Sequence, residues 1–133
     1  MRYVLDTNTV IAALNGVPSV TRRLASVSAG DVGLPVVVLA ELLYGAHRSR
    51  RREENLVKIA TLRQGVTVIP LTEGIAERYG VVRADLQSRG IAKSDFDLVI
   101  ACSAIETNTV VITDDRALLD GSIAGLAAEN WLA

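Results

Sequence analysis

The sequence predicts an α/β fold in which a mainly parallel sheet is covered by helices on both faces. Short apolar, β-prone runs (Tyr3-Val4-Leu5, Val66-Thr67-Val68-Ile69 and Val110-Val111-Ile112) alternate with longer segments of helical period. That alternation is the pattern of strands joined by helical crossovers. The first and last of these runs each stop on hydroxyl and carboxylate residues, Asp6-Thr7-Asn8 and Thr113-Asp114-Asp115. Ligands of open parallel sheets bind beyond the carboxyl ends of the strands, so these are the places to look for function. At 133 residues the chain has the length of one domain, spanning 1–133, with a core that needs no staples.

Composition narrows the chemistry. Half of the residues are hydrophobic and 22% are charged, which is globular rather than disordered. Aromatics make up only 4%, so the core must be aliphatic. A net charge of −1 gives no global pull on nucleic acid; any such contact needs a local basic patch. The one cysteine, Cys102, excludes an intramolecular disulfide and a Cys-rich zinc site, and its apolar neighbours predict burial. His47 is the only histidine, which removes Ser-His and Cys-His nucleophile pairs from contention. Asp6 interrupts the N-terminal apolar run too early for a signal peptide, and no run approaches the roughly 18 apolar residues of a membrane span. A cytoplasmic protein is expected.

Along the chain, Thr9 to Leu14 reads as a short helix ended by Asn15-Gly16, and Pro18 opens a second with Val20, Leu24 and Val27 on one face. Val32-Gly33-Leu34 is a brief strand. Pro35 is tolerated in a first helical turn, so a helix is expected from Val36 to about His47. Leu56, Ile59 and Leu62 continue a further helix to Gly65, and Val66 to Ile69 reads as a buried strand stopped by Pro70. A long helix runs from Thr72-Glu73 to Arg89-Gly90. Ser94-Asp95-Phe96-Asp97 has capping-box spacing at the start of the next helix. Arg116 to Leu119 makes a helical turn, and Leu126 to Trp131 a last edge strand.

Five acidic residues stand out against this frame. Asp6, Asp114 and Asp115 follow strand ends, Asp97 opens a helix, and Glu41 interrupts a helix that is apolar nearly all round. Three of them have a purely structural reading: Asp6 and Asp97 suit helix capping, and Glu41 suits the wet face of its helix. Brought together, carboxylates without basic partners would raise one another's pKa unless a cation neutralised them. Oxygen-only donors point to Mg²⁺, with Mn²⁺ as an alternative. Such ions lower the pKa of bound water and clamp the oxygens of an in-line phosphoryl displacement, so no histidine base is required. The run His47-Arg48-Ser49-Arg50-Arg51-Arg52 is the one concentrated positive patch. It reads as a solvated face, or as the candidate RNA contact through Arg48, Arg50, Arg51 and Arg52.

The ordered set of motifs resembles a PIN-domain ribonuclease, specifically a VapC toxin of bacterial VapBC toxin–antitoxin pairs. The resemblance rests on Tyr3-Val4-Leu5-Asp6-Thr7-Asn8, Leu39-Ala40-Glu41-Leu42-Leu43-Tyr44-Gly45-Ala46, Phe96-Asp97-Leu98-Val99-Ile100-Ala101, Val111-Ile112-Thr113-Asp114-Asp115 and Glu129-Asn130-Trp131. It implies a three-layer α/β/α sandwich with a four- to five-stranded sheet. It also implies an Mg²⁺-dependent endoribonuclease that cuts cellular RNA, with tRNA the expected target, through metal-activated water. Asp6 and Asp97 then correspond to the principal metal ligands and Glu41 to the third acid. Asp115 matches the fourth, with the adjacent Asp114 an alternative. Thr7, Asn8 and Thr113 would orient ligands or the attacking water, and the products would carry 5′-phosphate and 3′-hydroxyl ends. A cognate VapB-type antitoxin and a homodimer are implied as well. The apolar helices at Val36 to Ala46 and Leu56 to Leu62 offer a face for either, beyond their share of the core.

Two departures from the family pattern bear on loop geometry and substrate choice. Ala92-Lys93-Ser94 stands where many relatives have Pro and Gly, and Leu118-Leu119 where many carry Phe. Two other readings compete: a non-catalytic PIN fold that binds RNA or a partner, and a metal-dependent phosphatase. The second lacks a nucleophilic Asp two residues after Asp6, where Asn8 stands.

Overall fold

The structure, a computed structural model, describes residues 1–132. Five parallel strands, β1 (Tyr3–Leu5), β2 (Val32–Pro35), β3 (Thr67–Ile69), β4 (Val110–Ile112) and β5 (Ala127–Glu129), form one sheet in the order β3-β2-β1-β4-β5. Among the described residues seven α-helices accompany them, besides a 3-10 turn at Ala29–Asp31: α1 (Thr7–Leu14), α2 (Pro18–Ala25), α3 (Val36–Arg48), α4 (Arg52–Gly65), α5 (Glu73–Ser88), α6 (Asp95–Glu106) and α7 (Arg116–Leu119). This is the PIN-like α/β/α arrangement, with the sheet at the upper end of the expected size and wholly parallel.

The strand order reverses at β1. The chain steps outward through β2 and β3, then crosses back to lay β4 on the other side of β1. The crevice at such a switch point is where a parallel sheet opens to a ligand. Leu5 pairs with Ile112 at the carboxyl ends of these two strands, so the residues that follow each must meet there.

The core is aliphatic. Val4, Leu5, Leu34, Ile75, Leu86 and Ile112 are fully buried, and Cys102 lies with them, its thiol pushed up to about 11 by burial. Gly33 has a packing reason: a Cβ there would collide with Met1 Sδ and meet Ile69 Cδ1 at 2.8 Å. Helix α6 is buried along Leu98 and Ile100 to Ala104, as expected of a helix held between α5 and the sheet.

Two local expectations change. Pro35 closes β2 in an extended conformation (φ −56°, ψ 141°), one residue beyond the expected strand, and α3 starts at Val36 as expected. Its missing N–H matters little at that boundary. The third strand is not buried: Thr67 is exposed, Val68 half-buried and only Ile69 fully covered. It is an edge strand, so one flank lacks a neighbour.

Candidate active site

Asp6 leaves β1 with its amide still on the ladder, donating to the Ile112 carbonyl at 3.1 Å. Its side chain turns back onto α1, where Oδ1 accepts the Thr9 amide at 3.0 Å. Oδ2 accepts the Thr113 hydroxyl. The Thr9 hydroxyl donates to the Ile112 carbonyl at 3.0 Å, sealing the floor beneath the carboxylate. Asp6 is therefore the expected cap and also a carboxylate only 5% exposed at the switch point. Burial pushes its carboxyl above the usual range, and Asp114's charge adds to the rise. The bonds from Thr113 and Thr9 oppose both.

Asp97 arrives from the other side, in the first turn of α6. Ser94 caps that helix by accepting the Asp97 amide at 3.1 Å, as the capping-box spacing predicts. The Asp97 carboxyl is also raised, first by burial and then by the charges of Asp115 and Asp6, against a lowering bond from Ser94. Asp115 caps the short α7 through Oδ1, which accepts the Ala117 amide at 2.9 Å. Its own amide donates to Thr113 Oγ1 at 2.9 Å. Asp114 points outward, 3.5 Å from Asn8 Nδ2. Of the adjacent pair, Asp115 is thus the neighbour of Asp97, while Asp114 acts on Asp6 through its charge.

Glu41 is half-buried on α3 and reaches the same edge through Thr7, whose hydroxyl donates to Oε1 at 2.8 Å. Thr7 is the first residue of α1, one position after Asp6, so the bond ties the outlying acid to the cluster. The positive patch is not drawn in. It occupies the turn from α3 to α4, and Arg48 lies about 10 Å of helix rise beyond Glu41. Arg48 folds over Tyr44, 5.3 Å from the ring centroid, and Arg52 donates to the His47 carbonyl at 3.1 Å. Arg50 and Arg51 are exposed, with no side-chain hydrogen bond or ion pair among the described residues.

Among the described residues, no three His, Cys, Asp or Glu side chains are gathered into a ready-made metal cage. The donor set nevertheless suits a hard divalent ion. Two carboxyls with raised pKa, facing other carboxylates, are the arrangement a cation would relieve. Mg²⁺ keeps several waters and needs only one or two direct carboxylates.

Sequence reasoning missed three features. Thr9 braces the ladder behind Asp6. Lys93 has a buried side chain, although it lies in a loop. A groove of about 320 Å³ runs between α1, α3 and α4, with Glu41 in its wall. Isoleucine and leucine periodicity marked these helices as apolar; nothing in the sequence told which apolar residues would be left lining a surface.

Residues 3–122 match the family model for the PIN domain. The chain is 31% identical to the "Ribonuclease VapC2" of Rickettsia felis over 133 residues, 98% of each chain. It is 28% identical to the "tRNA(fMet)-specific endonuclease VapC" of Shigella flexneri over 131 residues, again 98% of each. Among solved structures it resembles DNA-bound VapBC from Salmonella typhimurium, at a TM-score of 0.90 with 27% identity and 98% of both chains covered. A further likeness is to VapBC2 from Rickettsia felis bound to a promoter DNA fragment, at 0.87 and 29%, covering 98% and 99%. With its acids at the switch point of a parallel sheet and its whole length shared with these ribonucleases, the chain belongs to the PIN-domain family, among its VapC members.

Proposed function

We propose that this chain is the toxin of a toxin–antitoxin pair, a metal-dependent endoribonuclease acting on cellular RNA, with tRNA as its target. The observation that carries the reading is the acid cluster at the β1/β4 crevice. Buried Asp6 and half-buried Asp97 come from different elements, both with raised carboxyls, beside Asp115. Relatives named for ribonuclease and tRNA(fMet)-specific endonuclease activity support the substrate class.

Asp6 and Asp97 would hold Mg²⁺, with Mn²⁺ a substitute, and Glu41 and Asp115 complete the acid set. When bound, the ion lowers the pKa of a water and neutralises charge on the scissile phosphate. The protein's part is positional. Thr113 orients Asp6 and receives the Asp115 amide, Thr7 orients Glu41, and Asn8 approaches Asp114. Exposed Arg50 and Arg51 serve the RNA backbone away from the cut.

The groove beside Glu41 fits the apolar face of an amphipathic helix, with Ile11, Leu14, Leu42 and Ile59 in its lining and Lys58 as its cation. A VapB-type antitoxin segment there would cover Glu41, which gives inhibition a physical basis. Val36, Tyr44 and Val57 stay exposed on α3 and α4 for contact between two copies of the chain. No helix of the described residues is long and apolar enough to cross a membrane, and an RNA target places the protein in the cytoplasm.

The test is incubation of the purified protein with total tRNA in Mg²⁺ or in EDTA. Discrete fragments with 5′-phosphate ends, formed only with Mg²⁺, are expected. No fragments in Mg²⁺ or in Mn²⁺, with the RNA held by the protein in a filter-binding assay, would instead favour a non-catalytic binding module.

A further inference from the structure

The side chain of Lys93 is 3% exposed, an unusual place for an ammonium. A buried charge is costly unless it is paired. Its partner among the described residues is Asp120, whose Oδ2 accepts Nζ at 3.0 Å. The other carboxylate oxygen of Asp120 accepts the Ser122 amide at 2.9 Å and the Ser122 hydroxyl at 2.6 Å. Arg89, at the end of α5, donates to the Ser122 carbonyl. Two cations from the α5–α6 connection thus grip the segment that follows α7.

These residues sit at telling places. Lys93 precedes Ser94, the cap of α6, and lies four positions before Asp97. Asp120 ends α7, and Asp115 caps its beginning. Helix α7 is one turn of four residues with only Leu118 buried. So short a helix has no stability of its own. Asp115, the acid that caps its start, belongs to the acid set proposed above. Something must hold α7 against α6.

We propose that Lys93 is a positioning residue: by clamping Asp120 it fixes α7 on α6 and sets the place of Asp115 relative to Asp97. The role rests on the metal-centre reading above. The clamp acts at the far end of α7 from Asp115.

Lys93→Met keeps the buried stem and removes the charge; Asp120→Asn removes the partner from the solvent side. Amide exchange in the metal-free proteins reports on the clamp, because Leu118 and Leu119 donate to the Asp115 carbonyl within α7. Both variants should speed exchange in α7 by about tenfold while exchange in α6 stays at the wild-type rate. Mn²⁺, followed by its paramagnetic resonance signal, should bind about 10-fold more weakly to each variant. The double variant should be no worse than either single one, since both remove the same bond. Unchanged α7 exchange in both variants would overturn the clamp. Faster exchange with wild-type Mn²⁺ affinity would overturn the positioning role alone. A wild-type protein that takes up no Mn²⁺ would overturn the metal-centre reading and the positioning role with it.

Discussion

Thr113 joins two acids that the sequence sets 109 positions apart: its hydroxyl donates to Asp6 Oδ2 and accepts the Asp115 amide at 2.9 Å. The residue is fully buried at the end of β4, beside the end of β1. A hydroxyl donates and accepts through a single oxygen, which neither a carbonyl oxygen nor an amide nitrogen can do. One atom therefore sets the rotamer of a candidate ligand and the turn that carries another.

Replacing Thr113 by Val keeps the shape and removes both bonds. Leaving a buried carboxylate and an amide without their partner should cost about 1–3 kcal/mol of stability. Metal affinity and cleavage should fall roughly 10- to 100-fold, the usual loss when a residue supporting a ligand is removed. Thr113→Ser should recover most of both. Mn²⁺ titration and single-turnover RNA cleavage of the two variants check this; equal losses in Ser and Val would show that the methyl, not the hydroxyl, matters.

Asp6 and Asp97 have carboxyls raised above their unfolded values, chiefly by burial. The stability linked to such groups is complete below the ordinary carboxylate pKa of about 4 and is lost as pH rises through their folded-state values. In EDTA the protein should therefore lose stability through this site as the solution goes from acid to neutral. Asp97→Asn should raise the neutral-pH stability of the metal-free form by about 1 kcal/mol or less, since solvent screens a half-buried group. Mg²⁺ should stabilise the wild type at neutral pH and do little for the variant. Thermal unfolding in EDTA and in Mg²⁺, below about pH 4 and at about pH 7.5, measures all three.

Arg50 and Arg51 are exposed and lack side-chain partners among the described residues, whereas Arg48 lies against Tyr44. Arg50→Gln with Arg51→Gln should weaken RNA binding and flatten its salt dependence by about one phosphate contact each, with kcat unchanged. Arg48→Gln should do less. A drop in kcat at saturating RNA would place the patch at the cut itself.

The parallel sheet and most helices were legible because strand ends and caps leave local marks: Asn15-Gly16, Pro18, Thr72 and Ser94 all bound helices in the structure. Asp6 was readable both as a cap and as a site residue, and it is placed to serve as both. What the sequence hid depends on neighbours far along the chain. Ile69 is covered while Thr67, on the same face of β3, is exposed; this depends on what packs over each, which strand composition cannot report. The Asp114–Asp115 ambiguity turns on which way each side chain leaves β4. The burial of Lys93 depends on Asp120, 27 residues later.

Asp97, as a ligand of the proposed metal centre, should be indispensable for RNA cleavage. The most direct measurement compares cleavage of a purified tRNA pool by the wild type and by Asp97→Asn across a range of Mg²⁺, with circular dichroism confirming that both are folded. Discrete fragments from the wild type that EDTA abolishes, and that the folded variant does not form even at high Mg²⁺, are the predicted result. Equal cleavage by both proteins, or cleavage that survives EDTA, would contradict it.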